Sequence, residues 1–260
     1  MCARRIAQHQ PTDTDRGAPL APNTPAGSQA QTAGSQTLAR GLRALEILAE
    51  AGSPISIARL SEELGVHRSN TYRLLRTLED HRFAIRDDAG LIRLGPRIAA
   101  LAHGVAPHLN TAAAPVLTEL AHDLGMTAFL TVLDAGDIVT LASVEPGNVD
   151  ASIARNPGVR HPWDRGAPGH AIESTLSPAE REAALGGAET SPAALEARAL
   201  GYALSESEVI DGVTSIAVPL RIPGEPPAAI AIVHFRLPES VDAVAQRLHR
   251  AAREVLASYR

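Results

Sequence analysis

The stretch 66–76 carries side chains that are well suited to binding nucleic acids. It holds three arginines and no acidic residue, together with Asn70 and Tyr72. An arginine can hold guanine through two hydrogen bonds, an asparagine can do so for adenine, and serine, tyrosine and arginine also bind phosphates. These residue types indicate contact with duplex DNA. The alternative is a solvated basic helix face, but a face that serves only solubility normally mixes charges, as 57–63 does.

A helix over 68–81 would present these side chains together. His67 falls at its N-cap, where serine or threonine would cap better. At about 100° per residue, the apolar side of this helix is formed by Thr71, Leu74, Leu75 and Leu78. The opposite side, which we expect to meet DNA, comprises Arg68, Ser69, Asn70, Tyr72, Arg73 and Arg76.

Two shorter helical patterns precede this helix. The first begins near Gln36 and stops before Gly52 and Pro54, while the second is capped by Ser56 and closed by Gly65. The leucines of the first pattern recur on one helix face: Leu38, Leu42, Leu45 and Leu48. Two helices joined by a short glycine-containing turn form a helix-turn-helix.

A hairpin pattern follows the third helix. Residues 83–94 form two short apolar runs around the turn 87–90. Three helices and a hairpin predict a winged helix-turn-helix domain over 36–95, after which Pro96 opens a linker helix over 96–109. Three further positive side chains of this domain are expected to meet flanking phosphates: Arg40, Arg86 and Arg93.

The second half of the chain, 110–260, mixes helical and strand patterns. Helices are predicted around 116–124 and 169–176, from a capping box at 177–180 with Pro178 at the first helical position, over 192–200 and around 241–259. Strands are predicted over 127–133, 138–144, 215–220 and 228–235, and the stretch between 144 and 169 has loop character. An antiparallel sheet flanked by helices accounts for this order, so the expected fold class is α+β.

Length and composition limit the function classes. The 260 residues are enough for about two domains, and 45% hydrophobic residues can fill real cores. The segment 1–35 lacks periodicity, so we expect a disordered tail; a basic arm that contacts DNA is the alternative reading. No stretch has the roughly 18 uncharged apolar residues of a membrane span, and Cys2 is the single cysteine. We therefore expect a cytoplasmic protein without a membrane partner.

The charge is divided unevenly along the chain. Ten arginines and eight acidic residues give 36–97 a net charge of +2, whereas 98–260 carries −8. A basic module joined to an acidic one is expected when only one end of the chain meets a polyanion.

Enzyme and metal chemistry find little support in the sequence. The ten histidines include no H-x-x-x-H spacing on a plausible helix, and G-x-S-x-G, Walker and G-x-G-x-x-G loops are absent. A metal set assembled from distant loops stays an alternative. We expect no catalytic residue, no metal and no cofactor.

The chain resembles the IclR family of bacterial transcriptional regulators. The stretch ARGLRALEILAEAGSPISIARLSEELGVHRSNTYRLLRTLEDHRFAIRDDAGLIRLGPR at 39–97 is similar to the DNA-binding domain of that family. The stretches RGAPGHA at 165–171 and GYALSESEVIDGVTSIAVPL at 201–220 are similar to its effector domain. The resemblance implies a GAF-like effector-binding domain over 110–260, a homodimer or dimer of dimers, and palindromic operators.

The resemblance also implies which residues bind the effector. The 165–171 loop lines the pocket in relatives and offers backbone N–H groups to a small carboxylate, but Pro168 has none. Apolar residues stand at 231 and 233, where relatives that bind small acids often have serine. We therefore expect a larger or more apolar, even aromatic, effector rather than pyruvate. The implied pocket residues are Ala167, Pro168, Gly169, Ser205, Ser215, Ala231 and Val233, with Phe129, Ile153 and Trp163 as candidate walls.

Two features near that pocket have alternative interpretations. His161, Trp163, Asp164 and Arg165 share one loop, where a ligand role competes with ordinary packing. Glu208 is expected to be structural, pairing with arginine or capping backbone.

The sequence as a whole thus predicts a ligand-responsive transcription factor whose effector domain acts on the DNA-binding domain through 96–109. A sensor or scaffold that uses the winged helix for protein contacts, and an enzyme with catalysis in 110–260, are the competing hypotheses.

Overall fold

The computed structural model describes residues 34–147, 153–235 and 240–259. The chain forms two compact units, the first ending at Arg97 and the second beginning at Ile98. The tail expected over 1–35 lies outside the described residues except for its last two. Ser35 accepts a hydrogen bond from the backbone N–H of Leu38 and thereby caps the first helix.

The first unit contains three helices and a two-stranded wing. Its elements are α1 (Gln36–Glu50), α2 (Ile57–Glu63), α3 (Arg68–Asp80), β1 (Ala84–Arg86) and β2 (Ile92–Leu94). The strands pair antiparallel, and Ile55 adds a bridge to Ile92. Fully buried side chains from all three helices and the wing meet in one core: Ala44, Ile47, Leu60, Leu75, Ala84 and Ile92. The predicted winged helix-turn-helix is confirmed.

Local sequence signals set the helix ends of this unit. Ser56 accepts from the N–H of Arg59 at the start of α2, and Gly65 follows with a φ of 61°. His67 caps α3 as expected, its Nδ1 accepting from the N–H of Ser69 at 3.4 Å. In α1, the shared leucine face is only partly buried, since Leu38 and Leu42 are exposed while Ala44, Ile47 and Leu48 fill the core.

The segment 96–109 differs from the single helix that was predicted. Helix α4 (Arg97–Ala102) ends early, and α5 (Pro107–Leu124) begins before position 110. Ala106 takes a left-handed conformation with a φ of 42°, and Pro107 has no N–H to continue a helix from the preceding turn. The segment therefore forms two helices with a break between Ala102 and Pro107, instead of one continuous linker helix.

The second unit contains a six-stranded antiparallel sheet. Its strands are β3 (Thr127–Asp134), β4 (Asp137–Val144), β5 (Arg160–Pro162), β6 (Ala203–Glu206), β7 (Thr214–Leu220) and β8 (Ala228–His234). The order across the sheet is β5-β4-β3-β8-β7-β6. Edge strands β5 and β6 were not predicted, because three or four residues are too short to show an alternating pattern. The α+β fold is confirmed.

Helices cover both faces of this sheet. Alternate residues of β3 point to opposite sides: Ala128, Leu130 and Val132 join the core beneath α5 and α9 (Val241–Ser258). Phe129 joins the other core, beneath α6 (Gly166–Thr175). The remaining helices, on the α6 side, are α7 (Pro178–Leu185), which begins with the predicted capping box, and α8 (Pro192–Leu200).

Candidate DNA-binding face and effector pocket

The predicted DNA-contacting side chains of α3 lie on its exposed face. Thr71 and Leu75 are fully buried against the core and fix the rotation of the helix. The six residues on the outer side are all exposed: Arg68, Ser69, Asn70, Tyr72, Arg73 and Arg76. Among the described residues, no carboxylate lies within ion-pair distance of Arg68, Arg73 or Arg76. Their guanidinium groups are therefore available to a polyanion.

Tyr72 connects α3 to the wing. The guanidinium carbons of Arg68 and Arg86 each lie 5.9 Å from the centre of the Tyr72 ring. A cation over an aromatic face at this range is attracted by about 0.5–1 kcal/mol at exposed sites. The ring thus restricts both arginines without neutralising them.

Arg40 of α1 borders the same surface. A groove of about 290 Å³ between α1 and α3 is lined by Thr37, Arg40, Asn70, Arg73, Leu74 and Thr77. Arg40 and Arg73 are both exposed, so this groove adds positive charge beside the outer face of α3. Sequence reasoning placed Arg40 at flanking phosphates, and this position suits that role.

The two wing arginines have different surroundings. Arg93 is exposed on β2, opposite Ile85. Arg86 donates from Nε to Oε1 of Glu79 at 3.1 Å, with the side chains 33% and 28% exposed. Surface pairs of this kind contribute about 0–1 kcal/mol, so the pair can be exchanged for a phosphate at little cost.

A pocket lies on the α6 side of the sheet in the second unit, and we call it the α6 pocket. The side chains and backbone that line it are Phe129, Arg155, His161, Gly166, Pro168, Ser205, Glu208, Val209, Ile210, Val213, Ser215 and Val233. The pocket is narrow: its free volume is about 30 Å³, which is room for about two water molecules. Five of the ten residues predicted for the effector line it: Phe129, Pro168, Ser205, Ser215 and Val233.

The other five predicted residues lie outside the lining. Ile153 belongs to the apolar core, and Ala231 is fully buried in the sheet between Phe129 and Ala217. Trp163 is half-buried and packs against the same core. Gly169 lies against this tryptophan: a Cβ at that position would come within 2.0 Å of the Trp163 carbonyl oxygen. Ala167 is buried at the start of α6, and its backbone N–H, rather than its methyl group, contacts the pocket residue Ser205.

The backbone donors at the start of α6 are already occupied. The N–H of Gly166 donates to Oε2 of Glu208 at 2.7 Å, and the N–H of Ala167 donates to Oγ of Ser205 at 2.9 Å. Pro168 has no N–H, so the chain itself fills the place where relatives are expected to hold a small carboxylate. The expectation that Glu208 caps backbone is confirmed, and Nε2 of His170 adds a contact to the same Oε2 at 2.8 Å.

Arg155 is a pocket residue that sequence reasoning missed. Its side chain is buried, with the residue 7% exposed, and its guanidinium carbon lies 5.2 Å from the centre of the Phe129 ring. Burial lowers the pKa of this guanidinium, and Nε has no hydrogen-bond partner among the described residues. A single arginine in a loop between strands gives no periodic signal, so the sequence could not reveal this placement.

His161 lines the pocket beside Arg155. Its Nδ1 lies 3.0 Å from the carbonyl oxygen of Pro162, which can only accept, so Nδ1 carries the proton. Burial lowers the pKa of His161, with the positive charge of Arg155 contributing in the same direction. The ring is therefore neutral near pH 7, and the buried Nε2 is a hydrogen-bond acceptor that no described residue satisfies.

A buried ion pair anchors α6 from the other side. Glu173 is 1% exposed and accepts from Nη1 of Arg181 at 2.8 Å and from the N–H and Oγ of Ser191 at 2.8 and 2.6 Å. Glu173 and Arg181 are thus paired with each other, whereas no carboxylate among the described residues pairs with Arg155. The helix that borders the pocket is thereby held in a fixed position.

A winged helix-turn-helix with an exposed basic face on its third helix, followed by a separate α+β unit, is the architecture of a DNA-binding regulator. Residues 37–88 match the family model of the IclR helix-turn-helix domain, and residues 105–257 match that of the bacterial transcriptional regulator IclR C-terminal domain. The chain belongs to the IclR family, and the resemblance seen in the sequence is confirmed.

Individual relatives agree with this assignment. The chain is 29% identical to the HTH-type transcriptional regulator XynR of Escherichia coli over 202 residues, which are 71% of this chain and 80% of XynR. An IclR regulator from Alicyclobacillus acidocaldarius has the same fold, with a TM-score of 0.74 at 22% identity over 87% of this chain and all of that one. An IclR homologue from Microbacterium hydrocarbonoxydans, solved with 4-hydroxybenzoate, also has this fold. Its TM-score is 0.73 at 22% identity, over 86% of this chain and 98% of that one.

These comparisons favour regulation over catalysis. The chain is an IclR-family transcriptional regulator with a DNA-binding helix-turn-helix, and its curated relatives are named as regulators and repressors rather than as enzymes. Within the described ranges, no three His, Cys, Asp or Glu side chains are grouped so as to hold a metal ion. Of the helices in those ranges, none combines the length and apolarity that a membrane span requires.

Proposed function

We propose that this regulator binds a palindromic operator as a homodimer or dimer of dimers, with an affinity that a small molecule in the α6 pocket modulates. The observation that carries the DNA-binding part is the outer face of α3, where three exposed arginines have no carboxylate partner among the described residues. A solvated face would instead resemble α2, in which Arg59 pairs with Glu63 at 2.7 Å.

The contacts divide between bases and phosphates along α3. Arg68, Ser69 and Asn70 stand at its N-terminal end, the part of a recognition helix that reaches base edges in the major groove. The other side chains of this surface bind phosphates of the same half-site: Arg40, Tyr72, Arg73, Arg76, Arg86 and Arg93. A two-fold dimer places two such helices in successive major grooves, which matches a palindrome.

The pocket supports the proposed ligand response. The relative solved with 4-hydroxybenzoate has the same fold, and the α6 pocket here is lined by Phe129 and four aliphatic side chains, Val209, Ile210, Val213 and Val233. An effector with an apolar or aromatic body suits such walls. Ligand coupling in proteins is typically about 1–3 kcal/mol, which changes operator affinity about 5- to 150-fold. DNA binding also favours a location in the cytoplasm.

Footprinting on duplexes selected from a random pool tests the proposal. The expected result is a palindrome with two protected half-sites about 10–10.5 base pairs apart, or a multiple of that spacing, on one face of the duplex. Deleting residues 1–35 should leave the footprint nearly intact. A large loss of protection would mean that this segment is an arm that contacts DNA. Selection of no preferred duplex, together with capture of a protein partner by the intact first unit, would favour a scaffold instead.

A further inference from the structure

We infer that Tyr72 is a positioning residue for sequence recognition, whose aromatic ring holds the guanidinium of Arg68 ready for a base edge in the major groove. Arg86 of the wing holds the ring in turn. This inference rests on the proposed function, in which α3 enters the major groove. It adds the residue that determines how sharply Arg68 discriminates between bases.

The first support is the direction of the Tyr72 side chain. Side chains on an α-helix lean toward its N-terminus, so a ring at position 72 lies over the turn that begins at position 68. The guanidinium carbon of Arg68 lies 5.9 Å from the centre of this ring, within the range of a cation–π contact. Arg76 follows Tyr72 by the same four residues, but among the described residues the cations in contact with the ring are Arg68 and Arg86. On α3, the ring therefore holds Arg68 and leaves Arg76 free.

The second support is the position of Tyr72 outside the core. Thr71 and Leu75 are fully buried on the inner side of α3, whereas Tyr72 is 45% exposed. The aromatic contacts of its ring are with two guanidinium groups, those of Arg68 and Arg86. A side chain in this place stabilises the domain core little, so its ring is available to the two cations.

The third support is the contact between the ring and the wing. The guanidinium carbon of Arg86 also lies 5.9 Å from the ring centre, and Nε of Arg86 donates to Oε1 of Glu79 at 3.1 Å. Arg86 is thus connected to α3 at two points, one of which is the ring. The wing therefore helps to fix the ring that holds Arg68.

A fixed guanidinium discriminates between bases better than a mobile one. An arginine side chain has many rotamers and gives up this freedom when its planar group binds guanine through two hydrogen bonds. A guanidinium held over a ring before DNA arrives has less freedom to lose, and it is less able to move to a phosphate when the base is wrong. The ring itself carries no charge and neutralises no phosphate. Its loss should therefore lower base discrimination and leave the salt dependence of binding unchanged.

Anisotropy titrations of the full chain with the selected palindrome and its single-base-pair variants test the inference. Arg68→Ala first identifies the base pair that Arg68 reads, because discrimination is lost there. Tyr72→Leu should lower discrimination at this base pair by about two- to fivefold, the equivalent of one exposed cation–π contact, with an unchanged salt slope. Tyr72→Phe keeps the ring and should keep the discrimination.

Three results of these titrations would overturn the inference. Parent-like discrimination in Tyr72→Leu would mean that the ring has no role in recognition. Equal losses in Tyr72→Leu and Tyr72→Phe would assign the effect to the hydroxyl group. Parent-like discrimination at every base pair in Arg68→Ala would mean that Arg68 reads no base.

A double-mutant cycle shows whether Tyr72 acts through Arg68. The quantity compared is the difference in palindrome affinity between Tyr72→Phe and Tyr72→Leu, which isolates the ring from the hydroxyl group. This difference should largely disappear in an Arg68→Ala background. Arg76→Ala is the matched control background, since it removes an exposed arginine of the same helix that the ring does not contact, and the difference should persist there. The same difference in both backgrounds would contradict the inference.

Thermal unfolding separates positioning from a structural role. Tyr72→Leu should melt at the temperature of the parent chain, because the ring lies outside the core. A lower melting temperature, together with an equal loss of affinity for every duplex, would mean that Tyr72 supports the fold and would overturn the inference.

The parent chain distinguishes failure of the inference from failure of the proposed function. A parent chain that prefers no duplex would contradict the proposed function and this inference with it. A parent chain that selects a palindrome, beside a Tyr72→Leu variant that discriminates equally well, would contradict the inference alone.

Discussion

Arg86 of the wing and Glu79 of α3 form an ion pair, with Nε and Oε1 3.1 Å apart. The pair joins a residue expected to hold a phosphate to an acid at the edge of the DNA-binding face. Arg86 also lies over the Tyr72 ring, so both Glu79 and Tyr72 hold its guanidinium in place. In the free protein the negative charge of Glu79 therefore competes with DNA for this arginine.

Glu79→Gln should strengthen operator binding because it frees Arg86 for a phosphate. The salt dependence of the association constant should become steeper by up to about one unit of slope. Anisotropy titrations over a series of salt concentrations measure both quantities. Asp80→Asn is the matched control, since it removes an adjacent exposed negative charge on the same helix. Equal effects of the two substitutions would show that the pair with Arg86 does not matter.

Arg73→Ala should weaken operator binding and reduce the salt slope by about one unit, because its guanidinium is free to neutralise one phosphate. The same titrations measure this change. Arg160→Ala removes the same charge from the second unit, where the arginine pairs with Asp137 at 2.9 Å, and should leave the slope unchanged. A parent-like slope and affinity in Arg73→Ala would remove this residue from the DNA contacts.

Glu208→Ala should destabilise the second unit, because it leaves the N–H of Gly166 at the start of α6 without its acceptor. Loss of a helix cap costs about 0.5–2 kcal/mol in the free energy of unfolding. Urea unfolding of the full chain measures the loss. Glu206→Ala, at an exposed position two residues earlier, serves as the control. The capping role is contradicted if the two variants unfold at the same urea concentration.

His161 should make the protein less stable in mild acid. Burial lowers its folded-state pKa below the ordinary value of about 6.5, so the unfolded chain takes up a proton that the folded chain refuses. The free energy of unfolding should fall as the pH drops from about 6.5 toward the lowered pKa, by at most about 1.4 kcal/mol per pH unit for this one proton. Above about pH 6.5 both states are neutral and the residue has no such effect.

Urea unfolding of His161→Gln across the same pH range checks this prediction. The variant should lose part of the acid sensitivity, while His103→Gln, at an exposed position, should retain all of it. A parent-like pH dependence in His161→Gln would mean that His161 is protonated in the folded chain, contrary to its burial.

Much of the fold could be predicted from local patterns. Leucine spacing, serine caps and glycine stops located α1 to α3, because each signal acts within a few residues. The break at Ala106 was missed, since alanine is a good helix former and left-handed geometry there depends on the surrounding structure. Strands β5 and β6 were missed because pairing at the sheet edges, rather than their own pattern, makes them strands.

The two surfaces differed in how far the sequence could reach. The DNA-binding face lies on one helix, so helical geometry alone could place its six residues. The α6 pocket is assembled from strands and loops far apart in the chain, and Arg155 enters it from a segment without periodicity. The pairing of Arg86 with Glu79 was also invisible, because it depends on how the wing folds back onto α3.

The most direct measurement of the central claim is the ratio of affinities for a selected palindrome and a scrambled duplex of equal length, at about 150 mM salt. Specific regulators typically reach ratios of about 10³ or more, and the free arginines of α3 predict such a preference for this chain. Equal affinity for the two duplexes would contradict the account.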